Sequence, residues 1–493
     1  MRECLNLTPL PPLGRRYDYD TNKCLVVYRV KLMQLEQPRG NVSLFKDARI
    51  GKRMDELVEK MVEMESVVIH QLGENEAQQR SFYRLIHNER VETEEIKGYL
   101  YADAERQIVA GKHYLVIQHT TQPNFERNRS NIKQQAGLGV IGNKKDLGFF
   151  LHPSLVVEAQ GGACLGYSNV ITWSRSVDAA GKEARHYKAQ PIASKESYRW
   201  LEASQQSKQV LAATGQLTRI ADREGDITEL FQQVPDERTH LLIRSCQDRL
   251  LADSKLKLYH YLAQQQPGGS FQLAIKNDKR SKAVKRNATI VLRWGKVRLA
   301  PLALKGATLE MYALQAREEH PPEGQKPILW RLLTTHPIES IQEAKQVCQW
   351  YSERWNIEQV FPLLKHQGLQ VEMLDLESGK SLIQITLLAL LTVSKILLLH
   401  LAAKQEEPLP LQESFTLEEV ECMKALHQKY EGKTLKQKNP YPANSLQWCY
   451  WIMARLGAWK PGKKKAGVIC LMRGVRRFNH ICHGWLMAKQ LVS

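Results

Sequence analysis

The segment Trp350-Tyr351-Ser352-Glu353-Arg354-Trp355-Asn356-Ile357-Glu358-Gln359-Val360-Phe361-Pro362-Leu363-Leu364-Lys365 is the most informative part of the chain. It lies in a run from Ser340 to about Gln367 whose apolar periodicity predicts one long helix. On such a helix Tyr351, Arg354, Glu358 and Lys365 follow at offsets of 3, 4 and 7, which puts all four on one face. A carboxylate, two cations and a phenol on one stripe are unusual for a core face. They also suit a solvated helix surface, and the residues alone leave that plainer reading open.

Upstream, Ile220-Ala221-Asp222-Arg223-Glu224-Gly225-Asp226-Ile227 reads as a short strand, Leu217 to Ala221, stopped by a charged turn before a helix begins near Ile227. The apolar run Tyr114-Leu115-Val116-Ile117 is short enough for a buried strand and leads into Gln118-His119-Thr120-Thr121. Strands are also expected at Phe149 to Val157, Ala163 to Trp173 and Leu241 to Ile243, with a helix from Lys195 to Ala213. Strands separated by helices argue for a mixed α/β core. Between Ser254 and Glu318 the texture turns β, with runs at Ser270 to Ile275, Ala288 to Arg293, Lys296 to Ala300 and Met311 to Ala316. Pro267-Gly268-Gly269, the basic stretch Lys276 to Arg286, and Gly295 separate them. A last strand, Leu329 to Thr335, precedes the long helix.

Both ends read as helical. Residues 1 to 40 are rich in Pro and Gly without periodicity, and Met33 is an alternative start that would make the preceding stretch an annotation artefact. Residues 41 to 112 form a basic module with helical spacing over Leu44 to Gln71, Glu76 to Ile86 and Thr93 to Ile108. The chain then divides into 113 to 253, the β-rich 254 to 318, 319 to 375, and a mostly helical 376 to 493.

The 493 residues carry 70 Lys+Arg against 52 Asp+Glu, a formal charge of +18, which calls for an acidic partner. Leu382 to Ala403 is long enough to span a bilayer but includes Gln384, Lys395 and His400, so a buried core helix is expected and the partner becomes nucleic acid rather than membrane. Nine scattered cysteines with no C-x-x-C suit free thiols in a reducing cytoplasm. His480-x-Cys482-His483 is too sparse a ligand set for a metal. No secretion signal opens the sequence, so a cytoplasmic, nucleoid-associated protein is expected.

The pattern Tyr351-x2-Arg354-x3-Glu358-x6-Lys365 resembles the signature of cut-and-paste DDE transposases of the fourth bacterial insertion-sequence family. Asp222 to Asp226 resembles the family's second acidic motif, and 358 − 222 = 136 residues leaves room for its β-rich insertion. Leu44 to Arg49 with Ser81-Phe82-Tyr83-Arg84 resembles its end-recognition region, and Ser445 to Gly457 its C-terminal region. The resemblance covers about residues 42 to 490. It implies a ribonuclease-H-like mixed-sheet catalytic core with a β-rich insertion, flanked by helical N- and C-terminal domains. It also implies two aspartates and a glutamate holding two Mg²⁺ ions, with Mn²⁺ as a substitute. Paired hard cations suit phosphodiester chemistry because they activate water and neutralise phosphate charge.

By position, Asp222 and Glu358 are two of those three metal ligands. The first position holds His119, which removes a negative charge and offers a nitrogen that prefers transition metals to Mg²⁺. The resemblance further implies DNA contacts from Tyr351, Arg354, Lys365 and Arg244, and base stacking on Trp330 and Trp355, although Trp330 on an apolar strand also suits core packing. Two residues after Arg244 stands Cys246, where a second basic residue is expected. The implied activity is metal-dependent nicking, hairpin formation and strand transfer, by a homodimer in a synaptic complex on two inverted DNA ends with target DNA. His119 impairs that activity, or leaves an end-binding, dimerising inhibitor or relic that does not cut.

Overall fold

The structure is a computed structural model that describes residues 45–492 apart from 161–162, 177–189, 276–284, 301–307, 366, 406, 409–410, 412–414 and 463–464. The expectations for residues 1 to 40, for Leu44 and for most of the basic stretch after Ile275 lie outside the described residues. The chain is a mixed α/β protein, and its described residues fall into two compact units.

The first unit includes Val109–His119 and Lys182–Trp355. Its strands are β1 (His113–Gln118), β2 (Gln216–Ala221), β3 (Thr239–Arg244), β4 (Gly269–Ile275), β5 (Arg286–Leu299), β6 (Leu309–Glu319) and β7 (Leu329–Thr334). They lie in the order β1-β2-β3-β7-β6-β5-β4. β1, β2 and β3 are parallel, with Val116 opposite Arg219 and Ile220 opposite Leu242. The rest pair antiparallel. This division follows the side chains. β1 is buried along nearly its whole length, as parallel strands covered on both faces are, whereas β4 alternates exposed and buried residues as an edge strand does. Helices Tyr198–Val210, Thr228–Gln233 and Leu258–Gln264 cover the sheet, and Trp200, Phe231, Leu241, Ile243, Leu262 and Leu333 meet in one core.

Two expectations are corrected here. Ala288 to Arg293 and Lys296 to Ala300 are one continuous strand, β5, not two strands split at Gly295. Gly295 is required by packing rather than by a turn, since a Cβ there would sit 2.3 Å from the Tyr261 hydroxyl oxygen. The single long helix is in fact two, Ile341–Ser352 and Trp355–Leu364. Ser340 and Glu343 form a capping box that starts the first of these. It ends where the Glu353 N–H reaches back to the carbonyls of Gln349 and Trp350, and a turn at Glu353 and Arg354 separates it from the second helix. Tyr351 and Glu358 therefore lie on different helices.

The second unit comprises the described residues of Leu25–Ile108, Thr120–Gly181 and Asn356–Ser493. Helix Ala48–Met64 opens on Asp47, whose carboxylate accepts the Arg49 N–H, and buries Met54, Leu57, Val58 and Met61 at helical spacing. It closes on Glu65 in the left-handed region, φ 44°. Helices Glu76–Ile86 and Thr93–Glu105 follow. Strands Phe150–Glu158 and Cys164–Trp173 pair antiparallel with two register shifts. Helix Gly379–Ala402 is long and apolar enough to cross a membrane, yet it is almost wholly buried inside the protein. Gln384 and Ser381 donate from it to the carbonyls of Val91 and Ile86, as core polar groups must. Helices Leu417–Tyr430, Leu446–Leu456 and Val468–Val492 complete the unit.

Candidate functional site

β1 and β2 are adjacent and parallel, so the residues just beyond their C-terminal ends emerge side by side. These are His119 and Asp222. The His119 Nδ1 lies 3.4 Å from Asp222 Oδ2, and both side chains remain about one-fifth exposed. The other carboxylate oxygen, Oδ1, accepts the Glu224 N–H at 2.9 Å, which makes Asp222 the cap of the short turn Arg223–Gly225. That capping bond orients the carboxylate toward His119.

Tyr351, at the end of helix Ile341–Ser352, is buried beside this pair. Its phenol hydrogen-bonds with Arg244, and burial raises its pKa while Arg354 and Arg244 pull it back. Arg244 also donates to the Leu329 carbonyl at 3.1 Å. Burial lowers the pKa of this guanidinium, with Arg223 and Arg354 adding like-charge repulsion against the stabilising phenol. Trp330 on β7 packs edge-on to Tyr351, ring centroids 5.4 Å apart, and is only 7% exposed. One Asp, one phenol and three arginines thus share the sheet end where β2 and β3 finish. Such a neighbourhood attracts an anion.

Trp355 closes the first unit at the start of helix Trp355–Leu364 and is partly buried. Glu358 occupies the first turn of that helix in the second unit, partly buried. Lys365 follows the helix, and its Nζ donates to the Gln122 carbonyl at 2.6 Å and lies 3.5 Å from Glu372. Glu126, the nearest acidic residue after His119 in sequence, is committed elsewhere: it accepts from the Leu147 N–H and from Arg129.

Two hard divalent ions need several carboxylate oxygens converging on them. In the first unit the facing donors are one imidazole and one carboxylate in contact with each other. Among the described residues no three His, Cys, Asp or Glu side chains gather closely enough to hold an ion. Of the carboxylates that the resemblance implies for a Mg²⁺ pair, the first unit presents Asp222 alone, with His119 at the other position.

Two groups of residues escaped the sequence reading. Asp226 is fully buried and pairs with Arg249 at 2.5 Å, while its Oδ2 accepts the N–H groups of Cys246 and Gln247 at 2.7 and 3.0 Å. It ties the loop after β2 to the loop after β3. Cys246 adds to this tie, donating its thiol to the Arg223 carbonyl. The only signal in the sequence was a second Asp four residues after Asp222.

The other group lies at the opposite end of the strands. The Thr218 hydroxyl bridges His113 and His336, 2.7 Å from each, and His240 stacks on His336 with centroids 4.0 Å apart. Trp350 meets both His113 and His336. Burial lowers His113 to about 4 and His336 to about 2, with the neighbouring histidines adding to each shift. Nothing in the separate sequence positions announces this cluster. A scan of the chain against models of known protein families finds no match.

Proposed function

We propose that this chain is a DNA transposase of the fourth insertion-sequence family, built on a ribonuclease-H-like core, that binds inverted DNA ends but is strongly impaired in nicking them. One observation carries the reading: two sequence positions assigned to catalysis, His119 and Asp222, stand 3.4 Å apart at the ends of adjacent parallel strands. Support for the fold comes from the parallel trio β1-β2-β3 and from the antiparallel strands inserted between Asp222 and Glu358. Support for a DNA partner comes from the charge of +18 and from the arginines around Tyr351.

Impairment follows from the donor set. An imidazole in place of a carboxylate removes a negative charge where phosphodiester cleavage needs metal charge concentrated. The imidazole also stands 3.4 Å from the Asp222 oxygen that would otherwise face an ion.

The test is cleavage of a labelled duplex bearing the inverted repeat that flanks the gene, by the natural chain and by His119→Asp, in Mg²⁺ and separately in Mn²⁺. End binding by both proteins with cutting by His119→Asp alone supports the reading. Hairpin formation by the natural chain in Mg²⁺ overturns the assigned effect of His119. Absence of specific end binding by either protein overturns the family assignment.

A further inference from the structure

Helix Val468–Val492 carries Arg473 and Arg476 at i and i+3, a spacing that sets both on one face. Both line an open cleft of about 700 Å³, which Gln367, Gly368 and Gln370 also line. That volume suits a small ligand or a short length of polymer. The cleft lies wholly in the second unit, and no residue of the His119 and Asp222 pair takes part in it.

The charges of the cleft are uncompensated. Among the described residues no carboxylate forms an ion pair with Arg473 or Arg476. Arg476 Nη2 donates to the backbone carbonyl of Glu65 at 2.6 Å, not to the carboxylate of the same residue. The Glu65 side chain is fully buried and its two carboxylate oxygens have no hydrogen-bond partner. Burial pushes this acid well above the usual carboxylate range in spite of Arg476. Burial thus disfavours the charged acid that would otherwise offset this arginine. A guanidinium has five N–H donors, and a single bond to Glu65 leaves most of them to serve the cleft.

The backbone of the facing loop is also unusual. Gln370 sits in the left-handed region, φ 58°, which is strained for a residue other than glycine. It is held there by its N–H bond to the Lys365 carbonyl at 2.9 Å. Gly368 keeps the turn tight, since a Cβ there would lie 1.9 Å from the Leu363 carbonyl oxygen. Strain of this kind concentrates at ligand clamps. Here it places two carboxamides and two guanidiniums around one space.

We infer that this cleft binds the oxygens of a phosphate group, with Arg473 and Arg476 as charged donors and Gln367 and Gln370 as neutral ones. Planar guanidiniums grip phosphate oxygens in pairs, and carboxamide N–H groups complete a shell that a carboxylate ligand would not need. The phosphate comes from a small phosphorylated molecule or from a nucleic-acid backbone. The inference does not depend on the transposase reading.

The experiment uses the full chain, with pyrophosphate and a random-sequence DNA duplex as separate probes, so that end recognition plays no part. The variants are Arg473→Gln, Arg476→Gln and, as a control on the same helix, Arg477→Gln, whose guanidinium donates to the Leu456 carbonyl instead. Arg473 is exposed and its loss disturbs no packing, so Arg473→Gln keeps the test valid if Arg476→Gln misfolds. Pyrophosphate binding is expected to weaken about tenfold in each cleft variant and to stay unchanged in Arg477→Gln. If the source is a nucleic-acid backbone, duplex binding weakens too, and its salt slope falls by about one for each arginine removed. If the source is a small molecule, the duplex result does not move. The inference is overturned if the natural chain binds neither probe, if Arg473→Gln changes neither, or if Arg477→Gln weakens binding equally.

Discussion

His119 and Asp222 face each other across the ends of two adjacent parallel strands, the imidazole Nδ1 3.4 Å from the carboxylate Oδ2. Neither residue has a reason in its own segment to meet the other. The parallel register of β1 and β2 brings them together, and the turn at Asp222 points the carboxylate inward.

His119→Asp is expected to create a site for divalent metal that the natural chain lacks. Two carboxylates at this spacing repel each other unless an ion lies between them. Thermal unfolding monitored with and without Mn²⁺ checks this. The variant should lose stability without metal and regain it as Mn²⁺ is added, since a ligand that binds only the folded state raises the melting temperature. The natural chain should show little response.

Asp226 and Arg249 are both almost wholly buried, and losing one partner strands the other charge. Arg249→Met is expected to cost about 3–5 kcal/mol in urea unfolding. Asp226→Asn should cost less than Asp226→Ala, because the amide oxygen can still accept the N–H groups of Cys246 and Gln247. Equal losses for the two Asp226 variants would remove this loop tie from the account.

The histidine cluster makes the first unit acid-sensitive. Burial holds His113 at about 4 and His336 at about 2, and lowers His240 as well, so all three are neutral in the fold at neutral pH. The neighbouring histidines add to the shifts of His113 and His336, while a hydrogen bond with the Thr335 backbone and then Asp236 partly offset that of His240. In the unfolded chain each takes up its proton near pH 6.5. Stability is therefore fully present above about pH 6.5 and falls as pH drops, by up to ~1.4 kcal/mol per pH unit for each histidine. Urea unfolding between pH 7 and pH 4 measures the slope, which His336→Asn should reduce.

Glu65 has the opposite sign. Burial raises its pKa well above the ordinary carboxylate value, against the pull of Arg476. That favourable difference is complete below the unfolded pKa and is lost as pH rises through the folded one. Glu65→Gln, an uncharged near-isostere, should make stability less dependent on pH on the alkaline side. Paired unfolding curves for the variant and the natural chain at pH 5 and pH 8.5 give the comparison.

Much of the architecture was legible along the chain because it depends on neighbours in sequence. The helix start at Ser340, the stop of β2 at Asp222 and the amphipathic spacing of Met54, Leu57, Val58 and Met61 are all local. So was the burial of Gly379–Ala402, because its polar residues recur too regularly for a lipid-facing helix. Local signals failed where local and distant forces compete. Gly295 reads as a turn until Tyr261 occupies the space a side chain would need. The helix break at Glu353 and Arg354 occurs in residues with no Gly or Pro to announce it.

By itself the sequence determined most of the strands and helices, the basic charge, and which polar residues stand at strand ends and turns. Only the tertiary structure decided the partners: His119 with Asp222, Asp226 with Arg249, and Thr218 between His113 and His336. The reason is physical. Secondary structure reflects periodicity over a few residues, whereas a contact between distant side chains depends on strand order and register, which burial across the whole core selects.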